Sequence, residues 1–274
     1  SVSAADGGNL SSWSCPSALS GLSGFAGMAN STTLSTQLNS SRKITNTIIP
    51  TIPYRTLSMD IVSKHIVLRY DAAEDVSLFA PGTISETKTV INQSIDFLDR
   101  NQILPFDIDI YKTKVAFLRF SSGTFETIDS LSDADAVRID LFRADLDELP
   151  IVTPNPVKGS VALTVTGQKD PKRNIIELRY QYWPISYNTV GRYQIITSQQ
   201  AWSALQSGAA YIAQLPKNVQ STITIRNIYL AYYDSFEAQF FLQPVYVFEG
   251  DNDFVAYVPA IATPWGGDYS ISAE

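Results

Sequence analysis

Cysteine and histidine are almost absent: Cys15 and His65 are the only ones in 274 residues. One thiol can form neither an internal disulfide nor a Cys-based zinc cage, so stability has to come from packing. His65 lies in the strand-like segment "VSKHIVLRY" with no GxSxG elbow anywhere in the chain, which gives Ser-His-Asp or Cys-His chemistry nothing to build on. It also has no second donor at metal-motif spacing and reads as a strand histidine. GxGxxG and GxxxxGK loops are missing too, so a nucleotide cofactor has no phosphate cradle. Neither a cofactor nor a metal is expected, and no catalytic residue can be named.

Long apolar runs are also missing. No stretch reaches the roughly 18 to 20 residues needed to span a bilayer, and no basic region followed by an apolar one opens the chain. As it stands the chain is expected to be soluble. Its first residue is Ser rather than Met, which is compatible with loss of an N-terminal signal or anchor. Charge is scarce at 17% of residues, against about 25% in ordinary domains. Surface polarity must therefore come from Ser, Thr, Asn and Gln, a composition common in secreted and cell-surface proteins. With 27 acidic and 20 basic side chains the net charge is -7. Nucleic-acid binding relies on Lys and Arg neutralising phosphates, so a nucleic-acid partner is disfavoured. The basic run "KDPKR" at 169–173 reads as a solvated hairpin turn.

Order is expected to begin near Tyr54. Residues 1–52 are rich in Ser, Thr, Asn and Gly and read as a spacer or loosely ordered arm that carries Cys15. A short helix over "SALSGLSGFAGMA" is disfavoured by its repeated glycines. Residues 53–155 form an expected N-terminal α+β lobe, and 156–274 a C-terminal one. In "ISETKTVINQSIDFLDRNQILP", Ser85 is a candidate N-cap, and Val90, Ile91, Ile95 and Leu98 fall at helical spacing. In "ITSQQAWSALQSG", Thr197 or Ser198 caps a second helix that Gly208 stops. The remaining segments read as strands. In one of them Val161, Leu163 and Val165 alternate with Ala162, Thr164 and Thr166, the pattern of a sheet with one buried face. Helix followed by sheet, used twice, suggests a duplicated lobe.

Carboxylates are numerous, which keeps a two-carboxylate hydrolase open as an alternative. The aspartates of "DIDIY" and "SDADAVRIDLFRADLDELP" alternate, which places them on one solvated strand face. "EGDNDF" brings Glu249, Asp251 and Asp253 into one turn but lacks the glycine and distal glutamate of a calcium loop.

The strongest remaining signal is aromatic. Tyr229, Tyr232, Tyr233, Phe240, Phe241, Tyr246, Phe248 and Tyr257 bracket Pro244, which cannot donate to a ladder and is expected at an edge or bulge. Alternate aromatics of this meander read first as core packing; those on the opposite face would form a tyrosine-rich surface, the kind favoured at protein interfaces. Tyr232, Tyr233, Gln239, Tyr246 and Tyr257 are the candidate interaction residues.

"AWSALQSG", "ITIRNIYLAYYD", "FLQPVYVFEG" and "FVAYVPAI", in that order over about residues 195–262, resemble the extracytoplasmic YycH/YycI-type regulatory proteins and the related PepSY-like lobes. The resemblance implies two α+β lobes and a non-enzymatic binding or regulatory role in the cell envelope. It also implies an N-terminal membrane anchor, which this chain does not show, and a partner that is another envelope or membrane protein, such as a sensor kinase. PepSY-like lobes imply, as the alternative, a protease inhibitor or chaperone.

Overall fold

A computed structural model describes residues 2–5, 43–46, 55–60, 65–79, 84–170, 173–187, 190–216, 222–237 and 239–262. The disfavoured helix over 17–29 and Cys15 lie outside them. The fold is α+β, mostly antiparallel sheet with two α-helices among the described residues. It divides into two compact units. One comprises Ser11–Arg143 and Gly159–Tyr182, the other Ser1–Leu10, Ala144–Lys158 and Trp183–Glu274.

In chain order the strands are β1 (Val2–Ala5), β2 (Lys43–Asn46), β3 (Arg55–Asp60), β4 (Ile66–Tyr70), β5 (Ile108–Ser121), β6 (Thr124–Ile128), β7 (Ala136–Arg143) and β8 (Ile151–Val152). They continue with β9 (Val161–Thr166), β10 (Ile175–Tyr180), β11 (Val190–Tyr193), β12 (Tyr211–Gln214), β13 (Ile225–Tyr233), β14 (Gln243–Gly250) and β15 (Val255–Pro259). Helix α1 is Thr87–Arg100 and helix α2 is Ser198–Gln206.

The first unit is an antiparallel eight-stranded sheet in the order β2-β3-β4-β10-β9-β7-β5-β6. Helix α1 forms where the apolar spacing places it. Val90 and Leu98 are buried, and Ile91 and Ile95 pack beside them onto Ile139, Leu141, Leu163 and Leu178 of the sheet. The N-cap position is Glu86, not Ser85, and no side chain caps it. The helix closes through Asn101, whose side chain donates to the Phe97 carbonyl at 2.7 Å, and through Gln102 at φ 56°.

The second unit contains a five-stranded sheet in the order β12-β15-β14-β13-β8, in which β8 runs parallel to β13. A two-stranded pair of β1 and β11 belongs to the same unit. Helix α2 is set by a capping box. The Thr197 hydroxyl accepts the Gln200 N–H at 3.2 Å, and Gln200 Oε1 accepts the Thr197 N–H at 2.8 Å. Gly208 at φ 82° ends it. Ala201, Trp202 and Leu205 pack on Tyr246, Phe248, Ala256 and Val258 of the sheet.

Several sequence expectations are corrected by long-range pairing. The boundary near 155 is not where the units divide, because β9 pairs with β7 and β10 with β4, which puts both in the first unit, while β8 joins the second. Two pieces of the expected arm are strands, β1 on β11 and β2 on β3. The duplicated-lobe idea does not extend to topology, since the two main sheets differ in strand number and order. Strand β9 is buried along its whole length rather than on one face: Val161, Leu163 and Val165 pack in the cluster under helix α1, and on the other face the short Thr164 stands between Glu177 and Arg138, and Ala162 between Arg179 and Asp140, of the flanking strands.

Pro244 is not on an edge: it sits near the start of β14, the middle strand of its sheet. The Ala260 N–H donates to the Pro244 carbonyl at 2.9 Å. An unbroken ladder would return a bond from residue 244 to the Ala260 carbonyl. That carbonyl accepts the Ile196 N–H at 2.8 Å instead, so the donor missing from proline leaves no acceptor unpaired.

Candidate interaction surfaces

The tyrosines expected at a surface are mostly inside. Tyr232 and Tyr257 are each 1% exposed and Tyr246 is also buried, whereas Tyr233 and Gln239 are half-buried. β14 and β15 are buried on both faces, as is the Ala231–Tyr232 end of β13, so period-2 alternation does not separate core from surface there. The phenols act as ties within the second unit. Tyr257 Oη donates to the Thr153 carbonyl at 3.0 Å, Tyr211 Oη to the Pro154 carbonyl at 3.2 Å, and Tyr246 Oη to the Ile196 carbonyl at 2.9 Å. Tyr257 also contacts the rings of Tyr211 and Tyr233. Burial pushes the Tyr257, Tyr233 and Tyr246 phenols up from their ordinary pKa, so all three remain neutral. Gln239 Nε2 donates to the Tyr233 carbonyl at 3.1 Å. The meander's exposed aromatics are Phe240 and Phe241 instead.

Among the described residues of the first unit, the most exposed aromatic side chain lies in a protrusion of β5. Ile108 and Asp109 pair with Arg143 and Phe142, and pairing resumes at Lys114 opposite Asp140. Residues 110–113 therefore face Leu141 alone and bulge outward. Tyr111 at the tip is 92% exposed and Phe106 at the base 71%, with Ile110 also exposed. The loop holds its own shape: Asp109 Oδ1 accepts the Tyr111 N–H at 2.9 Å, and Thr113 Oγ1 donates to the Ile110 carbonyl at 2.7 Å.

Beneath the protrusion Arg143 Nη1 contacts Asp107 Oδ2 at 2.6 Å, both side chains buried, and the guanidinium lies 4.2 Å from the Tyr182 ring centroid. Burial, with the Asp107 charge adding to it, drives the Tyr182 phenol far up, and burial pushes Tyr180 up to about 12. On the other side of Leu141, a Cβ added to Gly159 would stand 2.2 Å from the Leu141 carbonyl oxygen, so that approach requires glycine.

This protrusion had a signal in the sequence. Apolar residues occupy even positions at Ile108 and Ile110 but odd positions at Val115 and Phe117. That change of phase is the signature of inserted residues in a strand.

The expected solvated aspartate face holds at Asp133, Asp145 and Asp147, which are exposed, and is corrected at Asp107 and Asp140. Asp140 is 1% exposed and Asp107 is buried, each held by arginine. Arg138 Nε lies 2.7 Å from Asp140 Oδ2 and Arg179 Nη2 3.7 Å from Oδ1, which also accepts the Gly159 N–H at 3.1 Å. Asp75 accepts hydrogen bonds from the Ser77 N–H and hydroxyl, from Tyr70 Oη at 2.6 Å and from Arg173 at 2.6 Å. Those bonds, the Ser77 one foremost, hold its carboxyl down at about 2. In the "EGDNDF" turn Asp251 takes a two-pronged contact from Arg226 at 2.7 and 2.9 Å, while Glu249 accepts from Tyr229 at 2.8 Å and Asn227 at 3.2 Å. Glu249 and Asp251 are thus committed to different partners, and among the described residues no group of three His, Cys, Asp or Glu could hold a metal ion. His65 Nδ1 lies 3.4 Å from Gln181 Nε2 across the β4–β10 pair. Among the described residues no helix is long and apolar enough to cross a membrane.

No protein-family model matches the chain, and no curated protein matches it significantly.

Proposed function

We propose that this chain is a non-enzymatic binding protein of the cell envelope, built from two α+β lobes in the YycH/YycI-like manner, whose partner is another envelope or membrane protein. The observation that carries the reading is the protrusion at Phe106–Thr113. It displays Tyr111, Ile110 and Phe106 to solvent on a base fixed by the buried Arg143–Asp107 pair. Leaving three large apolar side chains in water on a self-bonded loop is a cost that partner binding removes. Tyrosine is one of the side chains enriched among the anchors of interfaces. A sensor kinase is the partner class implied by the resemblance of residues 195–262, and Phe240 and Phe241 form a second exposed aromatic pair on the other unit.

The test is site-specific photo-crosslinking from position 111 in the native envelope, with position 127 on strand β6 as the control. The expected result is one envelope protein captured from 111 and not from 127. Its affinity for the I110A/Y111A variant should fall at least about tenfold. Unchanged binding by the folded double variant overturns the assignment, and capture of a secreted protease replaces the regulatory reading with an inhibitory one.

A further inference from the structure

The face of the eight-stranded sheet opposite helix α1 carries charged side chains on β4 and β10 and, across β9, on β7 and β5. Cross-strand register lays out two rows. The first runs Arg69 on β4, Glu177 on β10, Thr164 on β9, Arg138 on β7 and Ala116 on β5. The second, one step along, runs Val67, Arg179, Ala162, Asp140 and Lys114 on the same strands. Four cations stand against two carboxylates, so the patch is locally positive on a chain whose net charge is -7.

The rows are held in place. Arg69 Nη2 contacts Glu177 Oε1 at 3.0 Å, and Asp140, itself buried, draws Arg138 and Arg179 together from strands that flank β9. Their side chains keep 24% and 22% of their surface in solvent. Lys114 and Arg69 are exposed at opposite ends of the rows. One carboxylate shared by two guanidiniums leaves most of their N–H donors for another acceptor, since each guanidinium carries five.

We infer that this face is a second docking surface, distinct in residues and chemistry from the protrusion, and that it receives an Asp- or Glu-bearing segment of a partner protein. Charge complementarity sets the sign of the occupant. The two resident carboxylates set its kind. A uniform polyanion such as a nucleic-acid strand or a sheet of lipid headgroups would bring charge against Glu177, and its long-range approach is opposed by the acidic chain. A peptide segment can place separated carboxylates at Arg138, Arg179 and Lys114 and a neutral residue opposite Glu177. Planar guanidiniums bind carboxylates through paired hydrogen bonds, which gives the contact geometry as well as charge.

The experiment uses the full chain, isotope-labelled for amide NMR. The probe is a synthetic eight-residue peptide alternating Asp and Ser, and the Asn–Ser counterpart and inorganic phosphate serve as comparators. The expected result is salt-sensitive shifts at Arg69, Lys114, Arg138, Thr164, Glu177 and Arg179 with the acidic peptide alone. In R69Q/K114Q, which changes only exposed side chains, affinity should fall about tenfold while the spectrum otherwise stays folded. The inference is overturned by shifts that are absent or lie elsewhere, by equal shifts with phosphate, or by undiminished affinity in the double variant. None of these outcomes bears on the protrusion, which this experiment leaves intact.

Discussion

Replacing Arg143 by Met should be among the most damaging single changes in the first unit. The guanidinium is 1% exposed and its partner Asp107 8% exposed, 2.6 Å apart. Removing the cation strands a carboxylate in a place where water cannot reach it freely. Breaking one half of such a pair costs about 3–5 kcal/mol, and loss of the Tyr182 ring contact adds roughly 0.5–2 kcal/mol. The two losses together put the expected cost at about 4 kcal/mol or more. The companion variant R143M/D107L removes both charges and should recover most of that, since apolar replacement of a whole buried pair is often neutral. Unfolding of the two units need not be a single transition. The assay is therefore hydrogen exchange by mass spectrometry across a urea series, read on peptides from β5 and β7. R143M should lose protection there and expose 106–113, with peptides of β14 and β15 unchanged. A cost below about 1 kcal/mol, or a double variant as damaged as R143M, would refute the reasoning.

Two further predictions concern turns. The Asp75 carboxyl is held at about 2 against an ordinary 3.8, so its contribution is present above 3.8 and is lost as pH falls through 2. D75N should cost roughly 1–2 kcal/mol at neutral pH, with faster exchange at 71–79, and should match the unmodified chain near pH 2. A cost independent of pH would show that the side chain matters by shape alone. Asp147 and Glu148 take φ of 50° and 65° in a two-residue turn closed by bonds between Leu146 and Leu149 of 2.9 and 3.0 Å. That backbone prefers Asn-Gly, so D147N/E148G should stabilise the second unit by about 1 kcal/mol in urea unfolding. Destabilisation would mean that the acidic pair makes contacts outweighing its backbone cost.

What could be read from the chain alone were features set by neighbours a few residues apart. Helix α1 follows from Val90, Ile91, Ile95 and Leu98 at 3.6-residue spacing, and α2 from a threonine cap with glutamine three residues on. Strand positions followed from β-branched and aromatic runs, and scarcity of His and Cys limited the chemistry in the same way. Tertiary structure alone decided which strands pair and which faces are covered. Tyr232, Tyr246 and Tyr257 carry the same local pattern as surface tyrosines. They are buried because, where they stand, β13, β14 and β15 each have a strand on both sides and both faces are covered. Asp140 alternates like a solvated aspartate, yet Arg179, distant in sequence, reaches it across β9. Pro244 survives in a middle strand because Ile196, 48 residues earlier, supplies the missing donor. Such partners are chosen by chain segments far apart in sequence, and local periodicity contains no term for them.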